Sequence, residues 1–305
     1  MKFTVDHPVV VAGHDEALVS AAGMTRVAQA VEEYGFDAIS FSEHPAPSYK
    51  WMSSGGHQSL DQTSALSFCA AVTSRVRLMT YLMVLPYHNP FFAAKALSTV
   101  DVLSGGRLTV VAGTGYLRSE FLALNVDMDQ RNELFDESLE VMRGVWTEVP
   151  FAYTGKHFTA RGVASLPGPV QAGGPPVLIG GNSSLARARA ARNQGWSPIM
   201  VAPEVTKTSR TPGIATIAEL AGQVKEVRDA AAAAGGDPDA LVIQVHTPQT
   251  SYLQQHGKTS VEEHRDHLGQ LAEAGVDWFV LRPPGDSVDG TVEALHQYAE
   301  AFVGQ

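Results

Sequence analysis

The residues able to do chemistry stand just past short apolar runs. They are Glu43 and His44, Tyr87 and His88, Thr114, the turn Gly180-Gly181-Asn182-Ser183, His246 and Arg282. An unperturbed imidazole titrates near pH 6.5, so it both gives and takes a proton near neutrality. His44, beside the carboxylate of Glu43, therefore reads as a general acid or base, with Glu43 orienting it or helping to hold a ligand. His88 precedes Asn89-Pro90 and is expected to enter a helix cap. His246 opens a loop with no matched motif. The two glycines at 180–181 let the backbone approach a ligand or take positive φ. Asn182 or Ser183 can cap the helix that follows, whose free first-turn N–H groups favour an anion. Two readings stay open for this turn: a phosphate site, or a capped strand-to-helix turn without a ligand.

Several chemistries are excluded. No predicted core strand carries Lys, so a Schiff-base aldolase lacks its amine. No His-x-His pair or carboxylate cluster follows a strand, so a metal-dependent hydrolase lacks its ligands, and no metal is expected. His264 and His267 lie three apart on a polar helix and are expected to be solvated. Helical zinc pairs sit four apart with Glu between them. One His, hydroxyls, glycines and apolar walls remain, a set that suits a bound organic cofactor carrying its own chemistry.

The elements that must position these groups alternate. Strands are predicted at Phe3–Val5 with Val9–Ala12, Asp37–Phe41, Val76–Leu85, Leu108–Ala112, around Val177–Ile179, Trp196–Val201, Leu241–Val245 and Asp277–Leu281. Helices are predicted at Met24–Tyr34, Asp61–Thr73, Pro90–Leu103, Asn132–Trp146, after Ser183, and at Ile214–Ala234, Val261–Ala274 and Val292–Phe302. Strands alternating with helices argue for parallel βα units. Eight of them argue for a closed (β/α)8 barrel, an α/β TIM barrel whose functional groups follow the strands. Pro45–Gln58 reads as a loop, in which Tyr49, Trp51 and Met52 either pack on the rim or form a lid over substrate. Val149–Gly174 reads as an insertion before the fifth strand, a hairpin over one barrel end. With no linker and no repeat, residues 1–305 are expected to form a single domain.

The chain has 305 residues, 44% hydrophobic content and a formal net charge of −10. That charge argues against nucleic acid and anionic membrane partners, since both need basic faces. No apolar run reaches the length of a membrane span; Leu78–Pro86 is broken by Thr80 and Tyr81. The N-terminus shows no signal-peptide pattern, and the single Cys69 allows no internal disulfide. Together these favour a cytoplasmic protein.

The stretches GFDAISFSEHPAPS (35–48), RVRLMTYLMVLPYHNPFFAAKALSTVDVLSGGRLTVVAGTGYLRSEF (75–121), RNELFDESLEVMRGVWTE (131–148) and PPVLIGGNSS (175–184) together resemble the bacterial luciferase-like superfamily. They look most like its branch of deazaflavin-dependent oxidoreductases that use coenzyme F420. Beyond Val201 only the architecture matches. The resemblance implies that Glu43 and His44 hold the places near the reactive edge of a flavin-like ring, with Glu where well-known deazaflavin enzymes have Asp. It implies a bulge backing that ring at Thr80, Tyr81 and Leu82, with a non-prolyl cis peptide at Tyr81–Leu82 or, second, Thr80–Tyr81. It implies that Gly180, Gly181, Asn182 and Ser183 form the phosphate loop. Gly113, Thr114 and Gly115 fall where the family touches the cofactor, though Thr114 also reads as a plain turn residue. Some sugar-phosphate dehydrogenases of the family place a catalytic Glu where this chain has Tyr116, which counts against that reaction.

Three functions follow from this resemblance. The first is an F420-dependent oxidoreductase that exchanges hydride with a small organic substrate. The second is an FMN-dependent monooxygenase that takes reduced flavin from a separate reductase and uses O2. The third is a catalytically silent relative. F420 has a long anionic tail that needs a basic exit, for which Lys207 and Arg210 are candidates; FMN ends at its phosphate. Arg131 reads either as a contact to the cofactor tail or as a structural residue paired with Glu133 or Asp136, the second being expected. Family members are commonly dimers, so a homodimer is expected.

Overall fold

The structure is a computed structural model that describes residues 1–201, 211–254 and 257–304. Lys207 and Arg210 lie outside the described residues. Eleven strands are present among them: β1 Lys2–Asp6, β2 Ala38–Phe41, β3 Arg77–Thr80, β4 Met83–Val84, β5 Leu108–Gly113, β6 Phe151–Thr154, β7 Thr159–Val163, β8 Val177–Gly180, β9 Gly195–Ser197, β10 Val242–Val245 and β11 Trp278–Leu281. Neighbours follow the order β3-β2-β1-β11-β10-β9-β8-β5-β4, and β3 also pairs β5, so the order returns on itself. With the interrupted β3–β4 counted once, eight strands alternate with helices, as the hydrophobic pattern predicts. The two remaining strands, β6 and β7, form the antiparallel hairpin expected inside Val149–Gly174.

The chain divides into two compact units, residues 1–40 with 177–305 and residues 41–176. In the first, parallel register sorts side chains onto two faces. Thr4 pairs Val280 and Asp6 pairs Ser40, while Gln244 pairs Trp278. Phe3, Val5, Ile39, Ile243, Val245, Phe279 and Leu281 take the alternate face and are almost wholly buried. Helix Val288–Phe302 covers that face: Tyr298 meets Phe3 edge-on at 5.6 Å. Helix Ile217–Ala233 begins with a capping box between Thr216 and Glu219.

In the second unit, helices Gln62–Val72, Pro90–Ser104 and Arg131–Thr147 accompany β3, β4 and β5. Helix Pro90–Ser104 starts with Asn89 as cap and Pro90 at its first turn, and ends on Gly105 at φ 65°. The hairpin is clamped to helix Arg131–Thr147, whose Glu137 accepts the N–H groups of His157 and Phe158 at 2.9–3.0 Å. The ring of Phe151 sits where a Cβ on Gly144 would be, so this helix face requires glycine.

The structure corrects several expectations. Val9–Ala12 is not strand: Pro8 fixes φ, and His7 caps a short 3-10 turn over Pro8–Val10. The predicted strand Val76–Leu85 is broken after Thr80 and turns into a 3-10 helix at Leu85–Tyr87. The loop 45–58 contains the short helix Tyr49–Ser53, capped by Ser48. A helix at Arg118–Ala123 follows β5 where none was predicted. The sixth strand is shorter, Gly195–Ser197, with Ile199 and Val201 in isolated bridges beyond it. His264 is not solvated. It is fully buried, with Nε2 3.0 Å from the Tyr298 hydroxyl and its ring stacked 4.1 Å from that of Tyr252. Among the described residues no group of His, Cys, Asp and Glu is arranged to hold a metal ion, and no helix is long and apolar enough to cross a membrane.

Candidate functional site

His44 leaves the end of β2 and is fixed at both of its ends. Its backbone N–H donates to Ser59 Oγ at 2.9 Å, and that hydroxyl donates to the His44 carbonyl at 3.2 Å. Its ring is 10% exposed, and Nδ1 lies 3.3 Å from Glu120 Oε2. Glu120 is itself 1% exposed. It also accepts from the Tyr87 hydroxyl at 3.0 Å and from the Ala46 N–H at 3.3 Å. Three donors thus converge on one buried carboxylate, and one of them is the imidazole. Burial, then the neighbouring Glu120, pushes the Tyr87 phenol well above the ordinary range, so it stays a donor. The same causes push Tyr116 up to about 12.

Aromatic rings surround the imidazole. Trp51 lies 4.5 Å from His44 between centroids, His57 4.9 Å and Tyr116 6.1 Å. Trp51 reaches this position because Ser48 caps helix Tyr49–Ser53 through the Trp51 N–H. Of the two readings of the 45–58 segment, packing and lid, the structure shows that Trp51 rests on His44 itself.

Glu43 is committed elsewhere. Its carboxylate accepts the Val84 N–H at 2.5 Å and lies 2.8 Å from His88 Nε2. Glu43 therefore ties β4 to His88, and the carboxylate that orients His44 is Glu120. His88 is the C-cap of the 3-10 helix Leu85–Tyr87, while Asn89 caps the helix that follows. Burial alone would lower the His88 pKa. The hydrogen bond and charge of Glu43, with Asp61, outweigh it and hold it above the ordinary value.

The peptide Tyr81–Leu82 is cis, at the place the resemblance implied. Thr80 closes the ladder beside this break: its hydroxyl donates to the Val111 carbonyl and accepts the Val111 N–H, both at 2.8 Å. Its side chain is thereby used up. Leu82 fills the space over Gly113, where a Cβ would come within 2.6 Å of Leu82 Cδ1. At Gly115, φ is +76° and a Cβ would meet Val84 at 2.6 Å and the Phe121 ring at 3.1 Å. Packing against the broken strand is thus sufficient reason for both glycines. Thr114 between them is half-buried. Arg131 donates to the Met128 carbonyl at 2.9 Å, a structural role as expected, though with a different partner.

The Gly180–Ser183 turn belongs to the first unit. Gly181 has φ +104°, and a Cβ there would meet only Ala186 at 3.7 Å, so it is conformation that demands glycine. The N–H of Gly181 goes to the Ser197 carbonyl and that of Asn182 to Thr211 Oγ1. The Asn182 side chain is spent on the Ile199 N–H and on the Ile199 and Pro212 carbonyls. Ser183 caps Ala186. Among the described residues the N–H groups of Ser184 and Leu185 have no hydrogen-bond acceptor, as is usual at a helix start. Such groups are of a kind that fits an anion.

Sequence reasoning missed Glu120. Its signal was present: Leu117, Glu120, Phe121 and Leu124 share one face of a short helix, so a carboxylate stands on an apolar stripe.

The fold is a (β/α)8 barrel, and comparison with known proteins gives its family. The chain belongs to the luciferase-like monooxygenase family, whose model matches residues 1–248. It is 30% identical over 244 residues to the uncharacterized protein Rv0953c of Mycobacterium tuberculosis, covering 79% of this chain and 76% of that one. It is 29% identical over 175 residues to the FMNH(2)-dependent dimethylsulfone monooxygenase of Pseudomonas putida, covering 56% of this chain and 46% of the relative. Among solved structures it is similar to monooxygenase RslO1 from Streptomyces bottropensis, with TM-score 0.77, 23% identity and 99% of both chains covered. It is also similar to an F420-dependent secondary alcohol dehydrogenase, with TM-score 0.73, 16% identity, and 100% and 99% covered. These likenesses show the fold, the (β/α)8 TIM barrel read from the strand–helix alternation. The family is one of enzymes, oxidoreductases and monooxygenases that include F420-dependent and FMN-dependent members.

Proposed function

We propose that the chain is an F420-dependent oxidoreductase acting on a small organic substrate, with His44 handling the proton that accompanies hydride transfer. The observation that carries this is the buried contact between His44 Nδ1 and Glu120 Oε2. A carboxylate acceptor at Nδ1 fixes the tautomer and leaves Nε2 as the atom that gives or takes a proton. Trp51, His57 and Tyr116 shield the ring from water on several sides. Ser59 holds the backbone, so the imidazole has little freedom to turn away. F420, when bound, supplies the hydride-carrying ring. The Tyr81–Leu82 segment would back that ring.

A second reading, an FMN-dependent monooxygenase fed by a separate reductase, is favoured by the dimethylsulfone monooxygenase relative. Side-by-side equilibrium titrations of the purified chain with F420 and with FMN separate the two. The F420 reading expects F420 to bind at least about tenfold more tightly, a difference of about 1.4 kcal/mol. Tighter FMN binding overturns it in favour of the monooxygenase.

A further inference from the structure

The first unit carries a second polar cluster that the proposed reaction does not use. Thr4, Asp6, Ser40 and Gln244 lie on one face of β1, β2 and β10, opposite the face packed under helix Val288–Phe302, and His246 and Arg282 come directly after β10 and β11. Register places Thr4 against Val280, Asp6 against Ser40, and Gln244 level with Trp278. Arg282 donates through Nε and Nη2 to Asp6 Oδ2, at 3.1 and 2.8 Å, and its side chain is 25% exposed. Thr4 donates to Gln244 Oε1 at 3.4 Å.

What these side chains leave over is specific. Gln244 is fully buried, yet its Nε2 meets no hydrogen-bond partner among the described residues. Neither does the buried Nδ1 of His246, two residues further on, just past the end of β10. The Nη1 edge of Arg282 makes no hydrogen bond there either. Buried polar groups are nearly always paired, so two orphans side by side with a free guanidinium edge ask for a ligand. All three can donate. The cluster has no surplus charge: Arg282 is matched by Asp6, Gln244 is neutral, and burial, with Arg282 nearby, pushes the His246 pKa down to about 3. An incoming carboxylate would be a buried charge with no counter-ion of its own. A neutral acceptor oxygen satisfies the same donors without that penalty.

We propose that Gln244, His246 and Arg282 form a binding site for the carbonyl oxygen of a small neutral organic molecule. The site rests on this cluster and not on the role of His44.

The test uses the full-length chain without cofactor and two ring-matched probes, cyclohexanone and cyclohexanecarboxylate. Binding is followed by the 15N resonances of the His246 ring, assigned by their loss in His246→Phe. Cyclohexanone is expected to move the His246 Nδ1 resonance saturably, and the carboxylate to bind at least about tenfold more weakly. Gln244→Met is expected to weaken cyclohexanone binding at least about fivefold while the melting temperature holds or rises, because an unpaired buried N–H2 group has gone. Should Gln244→Met not fold, His246→Phe gives the same reading by titration calorimetry, with cyclohexanone affinity expected to fall at least about fivefold. Equal or tighter carboxylate binding, unchanged cyclohexanone affinity in the variants, or no movement of His246 overturns the proposal.

Discussion

Glu120 Oε2 stands 3.3 Å from His44 Nδ1, and no other carboxylate hydrogen-bonds that imidazole among the described residues. The residue adjacent in sequence, Glu43, turns to Val84 and His88 instead. Glu120→Gln keeps the size of the side chain but removes its charge and replaces one of its two acceptor oxygens with an N–H2 donor. We expect turnover to fall by roughly 10–100-fold and its pH profile to move, with cofactor affinity unchanged. Glu120→Asp should recover part of the loss. An unchanged rate and pH profile in Glu120→Gln would show that Glu120 only fills space.

Gly115 fixes the loop that carries Tyr116. Ala at this position takes a left-handed backbone and drives a Cβ within 2.6 Å of Val84 Cγ1. The expected cost is about 1–3 kcal/mol, read as a lowered urea midpoint at unchanged slope. A change under about 0.5 kcal/mol would mean that the loop yields freely.

Stability should depend on pH through His264. Burial, then His267, pushes its pKa down to about 4. The unfolded chain takes up this proton near pH 6.5, while the folded chain resists it until about pH 4. Stability is therefore lost as pH falls from about 6.5 toward 4, and this contribution is flat above neutrality. His264→Phe removes one such proton and should reduce that slope by up to about 1.4 kcal/mol per pH unit. A slope equal to that of the unchanged chain would contradict this.

The alternation of strands and helices was legible because core strands such as Leu108–Gly113 are continuously apolar and helices such as Pro90–Ser104 carry their own stop signals. His44 was legible for the same reason, as a titratable group at a strand end. Its partner was not, because the contact joins residues 76 positions apart, and no local pattern records that distance. Locally, Glu43 looks like the better partner, and only the fold shows that it is already bound. Thr80, Gly113 and Gly115 illustrate the converse. Their types suit a ligand, yet side-chain and backbone neighbours account for all three. In the turn at 180–183 the glycines mark the approach of the chain, while the free donors belong to the helix start beyond them.

The central claim is that His44 moves the proton. The measurement that meets it most directly is to compare His44→Ala with the unchanged chain for both cofactor affinity and turnover on a confirmed substrate. The account predicts affinity within about tenfold and turnover reduced by roughly 10²–10⁴, the usual contribution of a general acid or base. Normal turnover in His44→Ala would contradict it and leave His44 a structural residue.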